Sequence, residues 1–400
     1  MEIALKTASR LRILECSACG KHYSAFESQT LSGCCAMPLV AQYDLNTTLS
    51  KEELNQREGT MWRYRELLPV ISDEHIISLG EGFTPILNLT NLAQKYSLNS
   101  LLLKDEGKNP TGSFKARGLS MAISKAKEFG VKGCIIPTAG NAGVAMAAYC
   151  AKANMRAVVV MPKHTPKAFQ EECYWLGAEV HLVDGLINDC AAKAKELNQQ
   201  NELLDVSTLK EPYRLEGKKT MGYEIAEQLN WQLPDVIIYP AGGGTGLIGI
   251  WKAFQESKTL GWLDSSVKFP KMVAVQAANC QPLVETYYGR QPNSKQYIGK
   301  PTLANGLAVP RPIGEPLMLK VLQESFGTAL SIKEQEMVEG IKELGSSEGI
   351  FVAPEGAAVW MAARKLIDIG YLSPDEQILL LNTGSGQKYI ENLEDKHFSW

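Results

Sequence analysis

The sequence predicts an α/β protein built on a largely parallel sheet. From about Leu101 onward, short apolar runs alternate with segments of helical periodicity, a pattern typical of strand–helix–strand units. Three of the predicted strands run directly into glycine-rich turns, and in such folds ligands bind beyond the carboxyl ends of the strands. The 400 residues exceed the usual length of a single domain, so we expect at least two lobes.

The apolar runs and the helical patterns can be assigned in chain order. We predict strands over the segments LLLKDE, GCIIPTAG, RAVVVMP, EVHLVDG, DVIIYPAGGG, KMVAVQA and QILLLNTGSG. We predict helices over MAISKAKEF, VAMAAYCAKA, AFQEECYWLGA, LIGIWKAFQE and AAVWMAARKLIDI. The stretch from Gly133 to Ala151 is uncharged, but it contains a proline and a glycine turn. It therefore favours a buried strand, loop and helix over a membrane span.

Charge and composition exclude several functions. Lysine and arginine number 41 against 44 acidic residues, and the net charge of −3 argues against a nucleic-acid partner and an anionic membrane surface. The N-terminus carries Glu2 and lacks an apolar core, so we predict no signal peptide. Nine cysteines without such a signal predict reduced thiols in the cytoplasm.

The first fifty residues differ from the rest because they hold Cys16, Cys19, Cys34 and Cys35 among glycines and serines. The first pair has the spacing of half a zinc ribbon, but the second pair is adjacent, and adjacent residues rarely both ligate one tetrahedral ion. His22 could replace one of them. From the sequence we assign no residue as a metal ligand; a structural zinc ion and a degenerate module with reduced thiols both stay open.

A glycine-rich turn, Gly242–Gly246, follows the strand DVIIYP and precedes a helix. Its backbone N–H groups and the positive end of the helix dipole suit a phosphate group. Gly244–Gly249 also matches G-x-G-x-x-G, but a nicotinamide enzyme would want an acid after the next strand, which offers Gln276 and Asn279. An NAD-dependent oxidoreductase is therefore the alternative from a different class.

Two other turns follow predicted strands. The loop from Thr138 to Ala142 offers backbone N–H groups for a carboxylate and the side chain of Asn141 as a directional partner. The turn after QILLLN places the neutral hydroxyls of Thr383 and Ser385 at a strand end, where they could contact a ligand nitrogen.

Lys115 lies in the segment KNPTGSFKARG, after a turn and at the start of a predicted amphipathic helix. The helix dipole disfavours a cation at that position. A lysine whose ammonium form is disfavoured becomes a neutral nucleophile that can form a Schiff base.

These motifs together resemble the fold-type-II family of pyridoxal-phosphate (PLP) enzymes, which is tryptophan synthase β-like, and most closely the threonine synthases. The resemblance extends over nearly the whole chain and rests on the order of its motifs. They are the cysteine-containing N-terminus, MWRYRELLPV, SLGEGFTPI, KNPTGSFKARG, TAGNAG, EPYRLEGKKTMGYEIAEQL, PAGGGTG and NTGSGQK. It implies two open twisted α/β domains with the cofactor in the cleft between them.

The resemblance also implies roles for individual residues. Lys115 would form a Schiff base with PLP, Asn141 would contact its phenolic oxygen, and Thr383 would face its pyridine nitrogen. The cofactor phosphate would be bound by the glycine turn, comprising Gly242, Gly243, Gly244, Thr245 and Gly246. The substrate would contact Ser113, the carboxylate-binding loop of Thr138, Ala139, Gly140 and Ala142, and the phosphate-binding Ser207, Thr208 and Arg214. Without the resemblance, Arg214, Lys218 and Lys219 would be interpreted as a solvated helix face.

The implied reaction is a β,γ-elimination and replacement that converts O-phospho-L-homoserine and water to L-threonine and phosphate. Two features depart from threonine synthases: Ala116 stands after the lysine, where many have an acid, and the glycine turn lacks their asparagines. Both features resemble serine and threonine dehydratases, so a PLP-dependent ammonia-lyase is the first alternative. A cysteate synthase-like β-replacement enzyme is another.

The sequence predicts three domains. They are a zinc-ribbon-like N-terminal module (1–50), a large PLP-binding domain (51–118 and 206–400) and a small mobile domain (119–205). The resemblance implies a cytoplasmic homodimer that acts on a small-molecule amino acid.

Overall fold

The computed structural model of the protein describes residues 9–46, 49–185, 187–200 and 202–393. Residues 1–8, which contribute to the prediction that a signal peptide is absent, lie outside them. Across the described ranges, every helix is too short or too polar to cross a bilayer.

The strands are short and mostly apolar. Their bounds are β1 Leu11–Cys16, β2 His22–Tyr23, β3 Leu39–Tyr43, β4 Ile86–Asn88, β5 Ser100–Asp105, β6 Gly133–Pro137, β7 Arg156–Pro162, β8 Glu179–Val183, β9 Leu204–Asp205, β10 Val236–Pro240, β11 Lys271–Ala277, β12 Thr328–Ile332 and β13 Gln377–Asn382.

The helices alternate with these strands from β5 onward. Their bounds are α1 Lys51–Asn55, α2 Thr90–Lys95, α3 Lys115–Glu128, α4 Asn141–Ala153, α5 Lys167–Trp175, α6 Ile187–Leu197, α7 Tyr213–Gln228, α8 Thr245–Thr259, α9 Pro282–Tyr287, α10 Glu315–Glu324, α11 Glu334–Glu348, α12 Pro354–Asp368 and α13 Ile390–Leu393.

The chain divides into two compact units. The first unit comprises Met1–Phe83, Lys115–Met221 and Gln255–Trp262, and the second comprises Thr84–Phe114, Gly222–Phe254 and Leu263–Trp400. The three domains predicted from the sequence stay a prediction.

The first unit contains two sheets. Among the described residues, β2, β1 and β3 form an antiparallel sheet in that order, while β8, β7, β6 and β9 form a parallel sheet. In the parallel sheet, β6 and β7 are almost continuously buried apolar runs, as expected for strands covered on both faces.

The second unit is built on a larger sheet. Within the described ranges its strand order is β12-β11-β10-β13-β5-β4, and every pair is parallel except the edge pair of β4 with β5. Strand β13 lies between β10 and β5, although it comes last in the chain. The α/β fold and all seven predicted strands are confirmed, and each predicted helix is present.

Candidate active site

Lys115 is the first residue of α3 and is half-buried. The sequence predicted an amphipathic helix with one solvated side. In the structure Arg117 and Ser120, which lie on the side predicted to be polar, are buried as well. The guanidinium of Arg117 donates to Thr220 Oγ1 at 2.9 Å, and the hydroxyl of Ser120 donates to Glu81 at 2.6 Å. Lys115 is therefore attached to a helix that is fixed by packing along almost its whole length.

Two glycines bring α3 and α7 into close contact. A Cβ atom on Gly217 would lie 2.2 Å from the carbonyl oxygen of Arg117. A Cβ atom on Gly118 would lie 3.0 Å from Lys218 Cε and 3.1 Å from the carbonyl oxygen of Arg214. The start of α7 therefore runs directly alongside the start of α3.

The interpretation of the start of α7 as a solvated helix face is wrong, because Lys218 and Lys219 are fully buried. Arg214 is also buried, with 1% of its surface exposed. Its Nη1 donates to the carbonyl oxygen of Val206 at 2.6 Å. Its Nε and Nη2 are buried and have no hydrogen-bond partner among the described residues. A buried guanidinium with two unused donors is suited to an anionic ligand, because unsatisfied buried charge is costly.

Arg214 lies among both basic and acidic side chains, and Glu211 and Asp205 partly offset the effect of burial, which lowers its pKa. Burial, together with the charges of Lys115 and Arg214, holds the pKa of Lys218 well below its usual value. Lys115, Arg214 and Lys218 are called the basic cluster below. Glu211 lies at its edge: burial raises the pKa of this carboxyl to about 7, against the opposing effects of Arg214 and two backbone N–H groups.

Glu211 also fixes the start of α7. Its Oε2 accepts hydrogen bonds from the backbone N–H groups of Tyr213 at 2.7 Å and Arg214 at 3.1 Å. These N–H groups belong to the first turn of the helix, where no intrahelical acceptor exists. Glu211 and Lys218 were not assigned to the site from the sequence. A signal existed for Lys218, which lies four residues after Arg214 and therefore on the same face of α7.

The loop after β9 contributes to the same region. Val206, which accepts the hydrogen bond from Arg214, directly precedes the half-buried Ser207 and Thr208. The backbone N–H of Ser207 donates to Asp205 Oδ1 at 2.9 Å. The loop that carries Ser207 and Thr208 is therefore linked to Arg214 through Val206.

The predicted carboxylate-binding loop lies between β6 and α4. Asn141 and Ala142 form the first turn of α4, rather than part of a loop, and Gly140 is its N-cap. Thr138 Oγ1 accepts from the Gly140 N–H at 3.3 Å, and Ala139 is half-buried. These residues expose the N-terminal N–H groups of a thirteen-residue helix, which is a suitable anion site.

Glu81 links α3 and α4 in the first unit. This buried carboxylate accepts from Ser120 Oγ on α3, from Tyr149 OH on α4 at 2.6 Å and from Trp62 Nε1 at 2.8 Å. Because the acceptor is a buried carboxylate, these hydrogen bonds are stronger than neutral ones in water.

In the second unit, the glycine turn joins β10 to α8. Gly244 has φ +81°, which favours glycine, and a Cβ atom there would lie 2.3 Å from Met318 Sδ. A Cβ atom on Gly242 would lie 2.3 Å from the Gly306 carbonyl oxygen, and one on Gly246 would lie 1.9 Å from Tyr239 OH. Thr245 begins α8, so the backbone N–H groups of the turn lie at a helix N-terminus.

Ser113 and Thr383 lie side by side in the second unit. Ser113 pairs with Gly384, and the backbone N–H of Phe114 donates to the Thr383 carbonyl oxygen at 3.1 Å. The Phe114 ring contacts Tyr239, beside the glycine turn, with ring centroids 6.3 Å apart. The segment that leads into Lys115 is therefore held against both the Thr383 loop and the residues that support the glycine turn.

Gln276 lies near the end of the strand after the glycine turn, where a nicotinamide enzyme would have an acid that binds the ribose. Gln276 is fully buried, donates to the Ala241 carbonyl oxygen at 3.0 Å and accepts from the Leu283 N–H at 2.9 Å. Its amide is therefore committed within the protein and is not available to a ribose hydroxyl.

Comparisons with known proteins identify the family. A family model described as "Pyridoxal-phosphate dependent enzyme" matches residues 77–384. The threonine synthase of Methanocaldococcus jannaschii is 34% identical, over 93% of this chain and 92% of its own length. The threonine synthase of Methanosarcina acetivorans is 34% identical, over 93% of this chain and 91% of its own length.

Solved structures share the fold at lower identity. Maize serine racemase is 20% identical, covers 79% of this chain and 94% of its own, and has a TM-score of 0.64. Diaminopropionate ammonia lyase from Escherichia coli is 20% identical, covers 81% of this chain and 91% of its own, and has a TM-score of 0.67. The chain therefore belongs to the family of pyridoxal-phosphate-dependent enzymes, as a PLP-dependent lyase of the fold-type-II class whose curated relatives are threonine synthases.

Proposed function

We propose that the protein is a threonine synthase, which converts O-phospho-L-homoserine and water to L-threonine and phosphate. The names of its curated relatives support this reaction, at 34% identity over more than nine-tenths of the chain. The observation that carries the proposal is the buried guanidinium of Arg214, whose Nε and Nη2 lack a partner among the described residues. A substrate that carries phosphate would use these donors, whereas serine and threonine carry no such group.

The residues of the chain fit PLP. The glycine turn supplies helix N-terminal N–H groups for a phosphate, Lys115 supplies a primary amine, and Thr383 supplies a buried neutral hydroxyl. When bound, PLP withdraws electrons from the α-carbon of the substrate, which makes its proton easier to remove. A neutral hydroxyl at the position of Thr383 favours elimination and replacement over transamination.

Recognition of the substrate is divided between two anion sites of the first unit. The start of α4, from Thr138 to Ala142, would bind the substrate carboxylate through backbone N–H groups. Arg214, with Ser207 and Thr208, would bind the phosphate through the planar fork of its guanidinium. Lys218 lies beside it, and a bound anion would favour the charged form of this lysine, which burial and its basic neighbours otherwise disfavour.

The remaining assignments concern proton movement and orientation. Lys115 Nζ would accept the proton from the α-carbon and release it before it accepts one from the β-carbon. Phosphate then leaves the γ-carbon, water adds its hydroxyl at the β-carbon, and protons return to the γ- and α-carbons. Arg214 would hold the leaving phosphate, whose negative charge grows as the bond to the γ-carbon breaks. Asn141 and Ser113 would orient the bound groups. The predicted homodimer and cytoplasmic location stay predictions.

Product analysis tests the proposal. The purified PLP-loaded protein is given O-phospho-L-homoserine in one reaction and L-threonine or L-serine in another, with a Lys115→Ala variant as the inactive control. Threonine and phosphate in equal amounts from the first reaction are expected. An oxoacid and ammonia from the second reaction alone would contradict the proposal and favour the ammonia-lyase. Consumption of phosphoserine with sulfite, but not of phosphohomoserine, would favour the cysteate synthase-like enzyme.

A further inference from the structure

The N-terminal sheet of β1, β2 and β3 carries four cysteines that converge on one point. The sulfur atoms of Cys16, Cys19, Cys34 and Cys35 all lie within 4.8 Å of one another. Cys16 is buried, and the other three are exposed. His22, which the sequence offered as a substitute ligand, is not part of the group, and its Nε2 lies 4.0 Å from Glu15.

The first two cysteines come from a tight turn after β1. The Gly20 N–H donates to the Cys16 carbonyl oxygen at 2.9 Å, and the Cys16 N–H donates to the Lys21 carbonyl oxygen at 2.9 Å. Gly20 has φ +74°, which lets the chain reverse directly after Cys19. Both side chains therefore lie on the same side of a closed turn.

The other two cysteines come from a second turn, before β3. The Ala36 N–H donates to the Ser32 carbonyl oxygen at 2.8 Å, and the Ser32 N–H donates to the Met37 carbonyl oxygen at 2.9 Å. Ala36 is left-handed, with φ +52°. The objection raised by the sequence is removed by the observed geometry, because the sulfur atoms of the adjacent Cys34 and Cys35 both lie in the cluster.

We propose that these four cysteines bind a structural zinc ion. Four thiolates around Zn²⁺ at about 2.3 Å require sulfur–sulfur separations of roughly 3.8 Å. The observed limit of 4.8 Å, and the 3.4 Å between Cys19 and Cys34, bracket that value. Binding thus requires only side-chain adjustments of about an ångström, with no rearrangement of either turn.

Zinc also fits the energetics of the module. Four thiols that meet at a surface contribute little stability through contacts with one another. Four thiolates would repel one another unless a divalent cation lies among them. The core of the module is small, consisting of Leu11, Leu14, Cys16, Ala25, Leu39 and Ala41. A core of this size gives little stability, and small modules commonly add a metal or disulfides.

The surroundings of Cys16 support thiolate ligation. Ser32 Oγ lies 3.2 Å from Cys16 Sγ, so its hydroxyl can donate to a thiolate there. Groups that donate to metal-bound ligands orient them and tune the site. The site has four protein ligands and no open position, which makes it structural rather than catalytic and independent of the proposed reaction.

Metal analysis of the full chain tests this site. The protein is produced in zinc-supplemented medium without a polyhistidine tag, and its metal content is measured by mass spectrometry. We expect one zinc ion per chain. Cys19→Ser and Cys34→Ser, both at exposed positions, should each retain less than about a tenth of it, whereas Cys280→Ala, a buried cysteine of the second unit, should retain it in full.

Three results would overturn the proposal. The first is a folded parent protein without zinc. The second is an unchanged zinc content in both serine variants. The third is a disulfide between Cys19 and Cys34, seen as two fewer titratable thiols under denaturing conditions without reductant. Replacement of zinc by Co²⁺ gives an independent readout, because a tetrahedral thiolate site produces strong visible absorption that the two serine variants should lack.

Discussion

Gly217 packs directly against the main chain of Arg117, so that any Cβ atom at position 217 would lie 2.2 Å from the Arg117 carbonyl oxygen. This contact sets the spacing between α3, which begins at Lys115, and α7, which carries Arg214 and Lys218. The distance between the nucleophilic lysine and the proposed phosphate-binding residues therefore depends on a glycine that has no functional group.

Gly217→Ala should destabilise the protein by about 2 kcal/mol or more, because the added methyl group forces α3 and α7 apart. The free energy of unfolding, from denaturant titration, measures this effect. The matched control is Gly345→Ala on α11, where a Cβ atom would meet nothing within 4 Å. That change should be neutral or stabilising by up to about 1 kcal/mol, and equal effects at both positions would show that the contact is unimportant.

Lys115→Ala should abolish covalent attachment of PLP and reduce turnover to background, because no other amine would take its place. Borohydride treatment followed by peptide mass spectrometry should find the cofactor on Lys115 in the parent protein and nowhere in the variant. Lys320→Ala, which removes a lysine with 67% side-chain exposure, should change neither result. Labelling of a different lysine in the parent protein would refute the assignment.

Arg214→Lys should lower kcat/KM for O-phospho-L-homoserine by about 100-fold, because lysine keeps the charge and loses the planar fork. Steady-state kinetics and inhibition by inorganic phosphate measure the effect, and both should weaken together. Arg156→Lys provides the control, since this arginine forms an exposed pair with Glu179 at 2.6 Å and should be replaceable. An Arg214→Lys enzyme with unchanged phosphate inhibition would place the phosphate elsewhere.

The stability of the protein should depend on the titration of Glu211. The pKa of this carboxyl is raised to about 7 in the folded state from an ordinary value of 4.5, chiefly by burial. The folded state therefore binds the proton more tightly. The resulting stabilisation is complete below pH 4.5 and is lost as the pH rises through 7, by on the order of 3 kcal/mol.

Denaturant titration of the Glu211→Gln variant across this range tests the dependence. The variant should lose the part of the slope that lies between about pH 5 and about pH 7. Glu339→Gln, which removes an exposed carboxylate from α11, should keep the slope of the parent protein. A Glu211→Gln variant with the parental slope would mean that other groups control this dependence.

Of the thirteen strands in the described residues, the sequence identified seven, because each of these is a short apolar run, and it identified the turns because glycine and hydroxyl residues follow those runs. It failed at α7, where RLEGKK contains the same residue types as a solvated helix face. Arg214, Lys218 and Lys219 are nevertheless buried. Burial of a charge is decided by what packs on it from distant segments, and here the contact with Gly118 lies about a hundred residues away in the chain.

The same reasoning explains the cysteines. Their spacing in the sequence indicated half of a metal site, while the adjacent pair argued against the other half. The turn that brings the adjacent pair to the cluster includes the left-handed Ala36, and alanine gives no sequence signal for that conformation.

The position of β13 has a consequence for synthesis on the ribosome. The central pairing of β5 with β13 joins segments about 277 residues apart, as in the hydrogen bond from Asn382 to Asp105. At translation rates of about 5–20 residues per second, β5 would wait roughly 15–55 seconds for its neighbour to emerge. The β6–β9 sheet, by contrast, comes from one continuous stretch, Gly133–Asp205. The nascent chain can therefore complete that sheet early, while β5 stays a strand edge open to chaperones until the last strand arrives.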